Sequence, residues 1–388
     1  MDIDCVIIGV NSEKTLGDCI QSIINSEYTQ GRLHIYYVDG GSTDNSVAVA
    51  SAFGQVIVIQ LNPEYPTPGL GRNAGWKKGV SPLVHFFDSD IVVDPGWIEK
   101  AANAMKGNIG AVRGNLNERY PQASIFNWIG ELEWNAPPGK CDSFGGIVML
   151  RRAILEKTGG YDEVLVAGED PELSQRVKFL GWDILHLDEP MCSHDLAMMK
   201  VRQYWKRAYR TGYGYAAVVL RLLVMRLKRF AAKGIGKKLI QRAQKISGRP
   251  LMQTGLNDTD GTAEISFNNF WLYECIRIKI RGGGFVFFTL LSILLLPWAV
   301  QSKGMAGLMI LMETLALLLL FYPLFFRISW FMADKKLDRA KAEIYATHCS
   351  LVVIPEYFGM LRFFAGLIFN KPLKNKRARL GTGVSKKI

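Results

Sequence analysis

Two carboxylates stand two residues apart in Asp88-Ser89-Asp90, directly after the apolar run Leu83 to Phe87. At the end of a strand, such a pair can face one ligand, with one acid on a ribose hydroxyl and the other on a metal. Mg²⁺ and Mn²⁺ prefer oxygen ligands and commonly bind through one or two carboxylates together with substrate phosphates. The spacing therefore indicates a site for a divalent metal and a phosphorylated ligand, with an ordinary solvated turn as the alternative.

A second acidic pair, Glu169-Asp170, opens the segment Gly168 to Leu173. Acids and proline are also common in the first turn of a helix, because the helix dipole favours negative charge there, so a structural role is the alternative. An aspartate with an ordinary pKa of about 3.9 is ionised at neutral pH and can accept a proton. Asp170 is therefore a candidate general base, with Glu169 beside it.

Cations and an imidazole follow these acids along the chain. Lys206 and Arg207 end the run Gln203 to Arg207, which places aromatics and cations on one predicted helix. These cations can stabilise a departing diphosphate, or they can belong to an amphipathic helix at a membrane surface. His194 follows a predicted strand at Ile184 and is a candidate metal ligand, with a structural role as the alternative.

The elements that must position these residues alternate between buried strands and amphipathic helices. Apolar runs at Cys5–Val10, Leu33–Val38, Val56–Ile59 and Leu83–Phe87 predict an α/β domain with a parallel sheet. Ligands bind beyond the carboxyl ends of such strands, and Asp39, Arg72 and Asp88 fall at that edge. Further elements are expected as a loop over Asn62–Gly71, strands over Phe144–Leu150 and Ile184–Leu187, and helices over Pro171–Leu180 and Gln203–Arg229.

Beyond Gly284 the chain becomes apolar in long blocks. Phe285–Val300 carries no charge and Gly304–Phe326 carries only Glu313, and a helix needs about 20 apolar residues to cross a bilayer. Because Lys and Arg flank the pair on both sides, two crossings with a cytoplasmic catalytic domain are expected. Ile344–Phe369 is expected to be interfacial or a third span.

Charge and cysteine usage exclude several classes of protein. The formal net charge is +12, and Arg226–Arg249 and the tail after Asn370 are basic segments that flank apolar ones. Such clusters are typical of the cytoplasmic face of a membrane. Without a zinc-finger or RNP-like pattern, no nucleic-acid partner is expected. The six cysteines form no CxxC pair, which argues against a disulfide framework and against structural zinc.

Taken in order, the motifs resemble those of family 2 glycosyltransferases of the GT-A fold, over roughly the first 210 residues. The segments that carry the resemblance are Ile7 to Asn11, Val38 to Asp44, Gly71 to Gly75, Phe87 to Asp90, Gly145-Gly146 with Arg151-Arg152, Gly159 to Asp162, and Gly168 to Arg176. The membrane tail is similar to that of the subgroup that makes exopolysaccharide and other envelope glycans. The implied architecture is a GT-A catalytic domain over residues 1–215, a basic amphipathic helix and linker at the membrane surface over 216–284, and a membrane region over 285–388.

The resemblance also implies a role for each site residue. Asp39 matches the acid that binds the nucleobase, Asp88 the acid near the ribose or the metal, and Asp90 the metal ligand that holds the diphosphate. Asp170 matches the general base, with Glu169 beside it. The remaining residues implied in nucleotide-sugar binding are Asn11, Arg72, Gly145, Gly146, Lys206 and Arg207, and His194 is a third candidate metal ligand.

The reaction implied is an inverting transfer from a UDP-, GDP- or dTDP-sugar, with Mg²⁺ or Mn²⁺, to a glycan or lipid-linked acceptor at the cytoplasmic face. Two features depart from the family pattern. Lys206 and Arg207 replace the Arg-Trp pair of processive synthases, and Gly40 stands where another Asp is usual. The alternative class is a catalytically inactive scaffold subunit of an envelope-assembly complex, which would bind the nucleotide-sugar without turnover.

Overall fold

The computed structural model describes residues 1–232 and 270–374, and these fall into two compact units. The first unit contains residues 1–197, and the second contains the described residues of 198–229 and 268–373. The first unit alternates strands and helices, as its alternating apolar and amphipathic segments require. The second unit is entirely helical in its described part.

A nine-stranded sheet forms the centre of the first unit, in the order β3-β2-β1-β4-β8-β6-β9-β5, with β7 also paired to β9. The first four strands along the chain, β1 to β4, are parallel to their neighbours among them, as predicted. In contrast, β8 is antiparallel to β4 and to β6. The whole sheet is therefore mixed. The expectation of a parallel sheet is correct for β1 to β4, and among the other strands β6 and β9 are also parallel. The strands are β1 (Ile3–Gly9), β2 (Leu33–Asp39), β3 (Val56–Gln60), β4 (Leu83–Asp88), β5 (Ile91–Val93), β6 (Ile109–Glu118), β7 (Gly139–Cys141), β8 (Val148–Arg151) and β9 (Asp183–His194).

The register of the parallel strands brings the predicted edge residues together. Gly9 at the end of β1 is paired with Asp39 on β2, and Ile8 is paired with Asp88 on β4. Asp39 and Asp88 therefore flank the carboxyl end of β1. A ligand beyond this edge meets side chains from both neighbouring strands.

Helices cover both faces of the sheet and bury two separate apolar clusters. One cluster includes Ile7, Phe87 and Trp97, and the other includes Val6, Phe86 and Leu173. Because alternate residues of β1 and β4 enter opposite clusters, these strands are apolar throughout. The helices are α1 (Leu16–Ile24), α2 (Ser46–Ser51), α3 (Pro68–Lys78), α4 (Trp97–Ala104), α5 (Ile125–Trp134), α6 (Arg152–Thr158) and α7 (Glu169–Phe179).

The helix predicted over Pro171–Leu180 is α7 (Glu169–Phe179), and three other predicted boundaries differ from the structure by more. The loop expected over Asn62–Gly71 ends at Thr67, because the Thr67 hydroxyl accepts from Leu70 N and Pro68 begins α3. The strand expected over Phe144–Leu150 begins only at Val148, since Phe144 N donates to Ser174 on α7 instead of to the sheet. The strand expected over Ile184–Leu187 extends from Asp183 to His194.

The second unit begins with the long helix α8 (Val201–Ala232), which contains the helix predicted over Gln203–Arg229. Glycines bring α8 against α15, because a Cβ on Gly212 would overlap the Glu356 carbonyl oxygen and one on Gly359 would overlap that of Tyr209. The remaining helices are α9 (Phe270–Ile278), a π-helical turn (Lys279–Gly283), α10 (Gly284–Ala299), α11 (Lys303–Leu320), α12 (Tyr322–Phe326), α13 (Ile328–Asp334), α14 (Arg339–Leu351) and α15 (Val353–Ile368).

Three helical stretches in the described residues are long and apolar enough to cross a membrane: Phe270–Ala299, Lys303–Leu320 and Arg339–Ile368. The first covers the predicted span Phe285–Val300 except for its last residue. The second covers the predicted span Gly304–Phe326 only as far as Leu320, and the rest of that span continues into α12. The third contains most of the segment expected to be interfacial or a third span. Within the basic segment Arg226–Arg249 and the proposed linker, residues 233–269 lie outside the described residues, as does the basic tail after residue 374.

Candidate active site

The Arg72 guanidinium lies at the centre of the site in the first unit. Its side chain is 2% exposed on α3, and its Nη2 donates to Asp88 Oδ1 at 3.0 Å. Its Nη1 donates to Glu169 Oε1 at 3.0 Å and lies 3.1 Å from Asp170 Oδ1. One buried cation thus joins the acid at the end of β4 to the acidic pair at the start of α7. These four residues were all predicted from the sequence, and the structure brings them together.

Two glycines allow this close approach of acids and cation. Gly168 has a left-handed φ of 89° and directs the chain into α7 at Glu169. A Cβ on Gly146 would overlap Arg72 Nη2 and lie 2.7 Å from Asp88 Oδ2. Gly146 therefore serves the site by its lack of a side chain. At Gly145, in contrast, a Cβ would meet nothing within 4 Å.

The electrostatics of the cluster are dominated by burial and by an excess of acids. Burial raises the pKa of Asp170 well above its ordinary value; Glu169 and Asp88 add to the rise, and Arg72 opposes it. Burial acts to lower the pKa of Arg72, but the carboxylates, Asp170 foremost, raise it well above its ordinary value. Asp170 Oδ1 is paired with the Arg72 guanidinium only as an ion pair and accepts no hydrogen bond of good geometry. Asp170 therefore combines a raised proton affinity with a carboxylate oxygen that can still accept a hydrogen bond.

The candidate metal ligands lie beside this cluster. Asp90 Oδ1 is 3.4 Å from His194 Nε2, and β5 brings them together because Ile91 is paired with His194. Asp90 Oδ1 and His194 Nδ1 are buried without a hydrogen-bond partner. Burial raises the pKa of Asp90, and His194 opposes the rise. In the part of the chain that the structure describes, no group of three or more His, Cys, Asp or Glu residues is arranged to hold a metal. A carboxylate and an imidazole suit a divalent ion that takes its other ligands from substrate phosphates and water.

Asn11 and Asp39 shape the turns at the ends of β1 and β2. Asp39 Oδ2 accepts from the backbone nitrogens of Gly41 and Ser42, both at 3.0 Å. Asn11 has a left-handed φ of 57°, and its Oδ1 accepts from Thr43 N at 2.8 Å. Both side chains therefore hold the loop Gly40 to Asp44 in place. Their predicted contact with the nucleotide stays a prediction.

Lys206 and Arg207 are exposed on α8, in the second unit. Gln203 in the same run accepts from Met199 N at 3.0 Å and Lys200 N at 2.8 Å, so it supports the start of its own helix. The predicted action of the two cations on a departing diphosphate stays a prediction.

Two site-supporting residues were not assigned a role from the sequence. The Tyr161 ring lies 5.2 Å from the Arg72 guanidinium carbon in a cation–π arrangement. Asn73, next to Arg72, is 2% exposed and bonds to the loop that contains Tyr161. Both belong to motifs that carried the family resemblance. Asn73 and Tyr161 are 88 residues apart along the chain, so no local sequence pattern could reveal their contact.

A family model described as glycosyl transferase family 2 matches residues 4–206, slightly more than half of the 388-residue chain. The chain belongs to glycosyl transferase family 2. The match covers every site residue named above except Arg207, and it confirms the predicted family and its GT-A fold.

Among relatives of this glycosyl transferase family 2 chain is a probable glycosyltransferase, YdaM, of Bacillus subtilis, 24% identical over 56% of this chain and 56% of its own length. A poly(ribitol-phosphate) beta-glucosyltransferase of Bacillus spizizenii is 28% identical over 32% of this chain and 21% of its own length. The chain therefore spans about half or less of the length of these curated relatives.

A solved structure, that of the mannosyltransferase PcManGT from Pyrobaculum calidifontis in complex with GDP-Man and Mn²⁺, is similar with a TM-score of 0.50. The alignment has 14% identity and covers 95% of this chain and 86% of that one. At this identity, the similarity concerns the fold.

Proposed function

We propose that the protein is an inverting, metal-dependent glycosyltransferase that moves a sugar from a nucleotide-diphosphate sugar to an acceptor hydroxyl. The observation that carries the proposal is the position of Asp170, buried 3.1 Å from the guanidinium that also binds Asp88. The arrangement joins a candidate base to the acid expected beside the donor. Family membership supports the sugar-transfer chemistry.

Asp170 acts as the general base in this proposal. Its carboxylate takes the proton of the acceptor hydroxyl while the acceptor oxygen forms a bond to the anomeric carbon. The bond from that carbon to the diphosphate oxygen breaks, and its electron pair leaves with the nucleoside diphosphate. Attack opposite to the leaving group inverts the anomeric centre. Arg72 holds Asp170 and Glu169 in place throughout.

A divalent ion, Mg²⁺ or Mn²⁺, would be held by Asp90, with His194 and Asp88 beside it. The unpartnered oxygen of Asp90 and the nearby imidazole fit this role. When bound, the ion offsets the negative charge that grows on the leaving diphosphate. The Mn²⁺ and GDP-Man in the structurally similar mannosyltransferase agree with this assignment. Lys206 and Arg207 are proposed to add positive charge for the same leaving group.

The acceptor is proposed to be a lipid-linked or envelope glycan at the cytoplasmic face of a membrane. Three helical stretches among the described residues could span a bilayer, which supports a membrane location for the acceptor. The name of the poly(ribitol-phosphate) beta-glucosyltransferase agrees with an envelope glycan.

The first test is the activity of Asp170→Asn and Asp90→Ala in the full-length protein. Loss of a general base lowers a rate by about 10²- to 10⁴-fold, so Asp170→Asn should reduce turnover by about 100-fold or more. Release of nucleoside diphosphate from UDP-, GDP- and dTDP-sugars, with a membrane-lipid extract as the acceptor source, measures it. Asp188→Asn, which removes one exposed acid from β9, is the matched control and should stay active. Normal turnover by Asp170→Asn would contradict the mechanism.

A further inference from the structure

We propose that Asn73 is a positioning residue for the transfer reaction, because its amide fixes the segment leading to Asp170 against the helix that carries Arg72. This inference rests on the proposed function. It adds a residue that touches none of the reacting groups but determines where two of them stand.

The Asn73 amide makes four hydrogen bonds. Its Nδ2 donates to Tyr161 O at 2.8 Å and to Glu163 Oε1 at 3.0 Å. Its Oδ1 accepts from Tyr161 N at 2.8 Å and from Trp76 Nε1 at 2.9 Å. A primary amide has two donor hydrogens and two acceptor lone pairs, so this side chain uses its full capacity. Such complete use in a buried place fixes both the amide and its partners.

Further hydrogen bonds hold the segment Thr158 to Gly168 against α3 and α7. The Thr67 hydroxyl at the start of α3 donates to Glu163 O at 2.7 Å. From α7, Arg176 Nη1 donates to Thr158 O at 2.9 Å and to Gly160 O at 2.6 Å. The start of the loop is therefore held by α7. Its middle, at Tyr161 and Glu163, is held by Asn73 of α3 and by the N-cap residue of that helix, Thr67.

The loop passes directly into the reactive cluster. Its Tyr161 ring packs against the Arg72 guanidinium, and its last residue, Gly168, precedes Glu169-Asp170. Loosening the loop would move Asp170 relative to Arg72 while leaving the end of β4 and its Asp88 unchanged. A displacement of about 1 Å at a reacting group can lower a rate by about 100-fold.

The test compares Asn73→Ala with Asn108→Ala in the full-length protein. Asn108 also joins two segments by its Nδ2, donating to Gly181 O at 2.7 Å and Asp183 Oδ2 at 3.3 Å, but on the exposed surface. We expect Asn73→Ala to lower kcat by about 10- to 100-fold with little change in donor KM. Asn108→Ala should keep the wild-type kcat. Equal kcat in the two variants would overturn the inference.

A second variant pair keeps the test valid if Asn73→Ala folds poorly. Asn73→Asp preserves the acceptor oxygen but places a carboxylate against Glu163, whereas Asn73→Asp with Glu163→Gln restores a donor at that contact. The double variant should recover part of the lost kcat, and Glu163→Gln alone should lose less than Asn73→Asp. No recovery would contradict the inference.

The proposed function and the positioning role of Asn73 are contradicted by different results. A wild-type protein that releases no nucleoside diphosphate from any of the donors contradicts the proposed function. An active wild-type protein whose kcat is unaffected by Asn73→Ala contradicts only the positioning role.

Discussion

At the residue scale, the central fact is that three carboxylates share the Arg72 guanidinium. Asp88, Glu169 and Asp170 arrive from a strand end and a helix start, and all contact one side chain that is almost fully buried. A buried guanidinium is expected to need paired acids, because its charge is costly to remove from water. Burial is the main cause of the raised pKa of Asp170, and the neighbouring carboxylates of Glu169 and Asp88 add to it.

His85 gives a residue-scale prediction for the dependence of stability on pH. It is fully buried on β4, and its Nε2 accepts from Trp97 Nε1 at 2.7 Å, so the ring is neutral with its proton on Nδ1. Burial lowers the pKa of His85 to about 3, whereas an unfolded histidine has a pKa of about 6.5. Between about pH 6.5 and pH 3, His85 is therefore protonated in the unfolded chain but not in the folded chain.

His85 should consequently lower the free energy of unfolding by about 1.4 kcal/mol for each pH unit as the pH drops from about 6.5 toward 3. His85→Gln should remove this part of the slope. Thermal melting followed by tryptophan fluorescence between pH 5 and 7 measures it. Gln55→Ala, at an exposed position without a titratable side chain, is the control and should keep the wild-type slope. Parallel pH profiles for wild type and His85→Gln would contradict the prediction.

The sequence allowed the acids to be predicted because their signals are local. Asp88 ends an apolar strand, and Asp170 opens a helix after a glycine, so each could be placed from its immediate neighbours. The contacts of Arg72 could not be predicted in this way, since its partners lie 16 and 97 residues away. Gly146 was assigned by resemblance, and only the structure gives its physical reason, the space between Arg72 and Asp88.

At the scale of elements, the direction of the strands decides the shape of the site. Parallel β1, β2 and β4 were predictable because their residues are apolar on both faces. The start of β8 was not, because Phe144 and Ile147 are apolar but Phe144 N bonds to Ser174 on α7 and Gly146 lies against Arg72 instead of continuing the strand. Functional geometry here overrides local strand preference.

The crossing of α8 and α15 gives an element-scale prediction. A Cβ on Gly359 would overlap the Tyr209 carbonyl oxygen and lie 2.9 Å from Tyr213 N, so the helices cannot stay at this separation with a larger residue. Gly359→Ala should therefore lower the melting temperature of the full-length protein by several degrees, in line with overpacking costs of about 1–3 kcal/mol.

Gly307→Ala in α11 is the matched control for that experiment. A Cβ at Gly307 would meet nothing within 4 Å, and alanine is the better helix former. This variant should melt at or above the wild-type temperature. A Gly359→Ala protein as stable as Gly307→Ala would show that the helices do not cross so closely.

At the scale of the whole molecule, donor binding should be visible as stabilisation. A ligand at 100 times its Kd stabilises the folded state by about 2.7 kcal/mol. One nucleotide-sugar among the UDP-, GDP- and dTDP-linked donors should therefore raise the melting temperature, and Mn²⁺ should increase the shift. Asp90→Ala should lose the metal-dependent part, and Asp188→Asn should keep it.

The same measurement separates the enzyme from the scaffold alternative. Stabilisation together with turnover supports the transferase, whereas stabilisation without turnover by any donor supports an inactive subunit. A protein that no nucleotide-sugar stabilises, with or without metal, would contradict both.

The continuous helix Phe270–Ala299 has a geometric consequence for any bilayer that it enters. Thirty residues at about 1.5 Å per residue give a length of about 45 Å, whereas the hydrocarbon core of a bilayer is about 30 Å thick. The helix must therefore tilt strongly or extend by about three turns beyond the hydrocarbon. Arg277, Lys279 and Arg281 all lie in its first half, so a protruding end would be the N-terminal one. The thickness of the host membrane then sets the depth at which these cations reside.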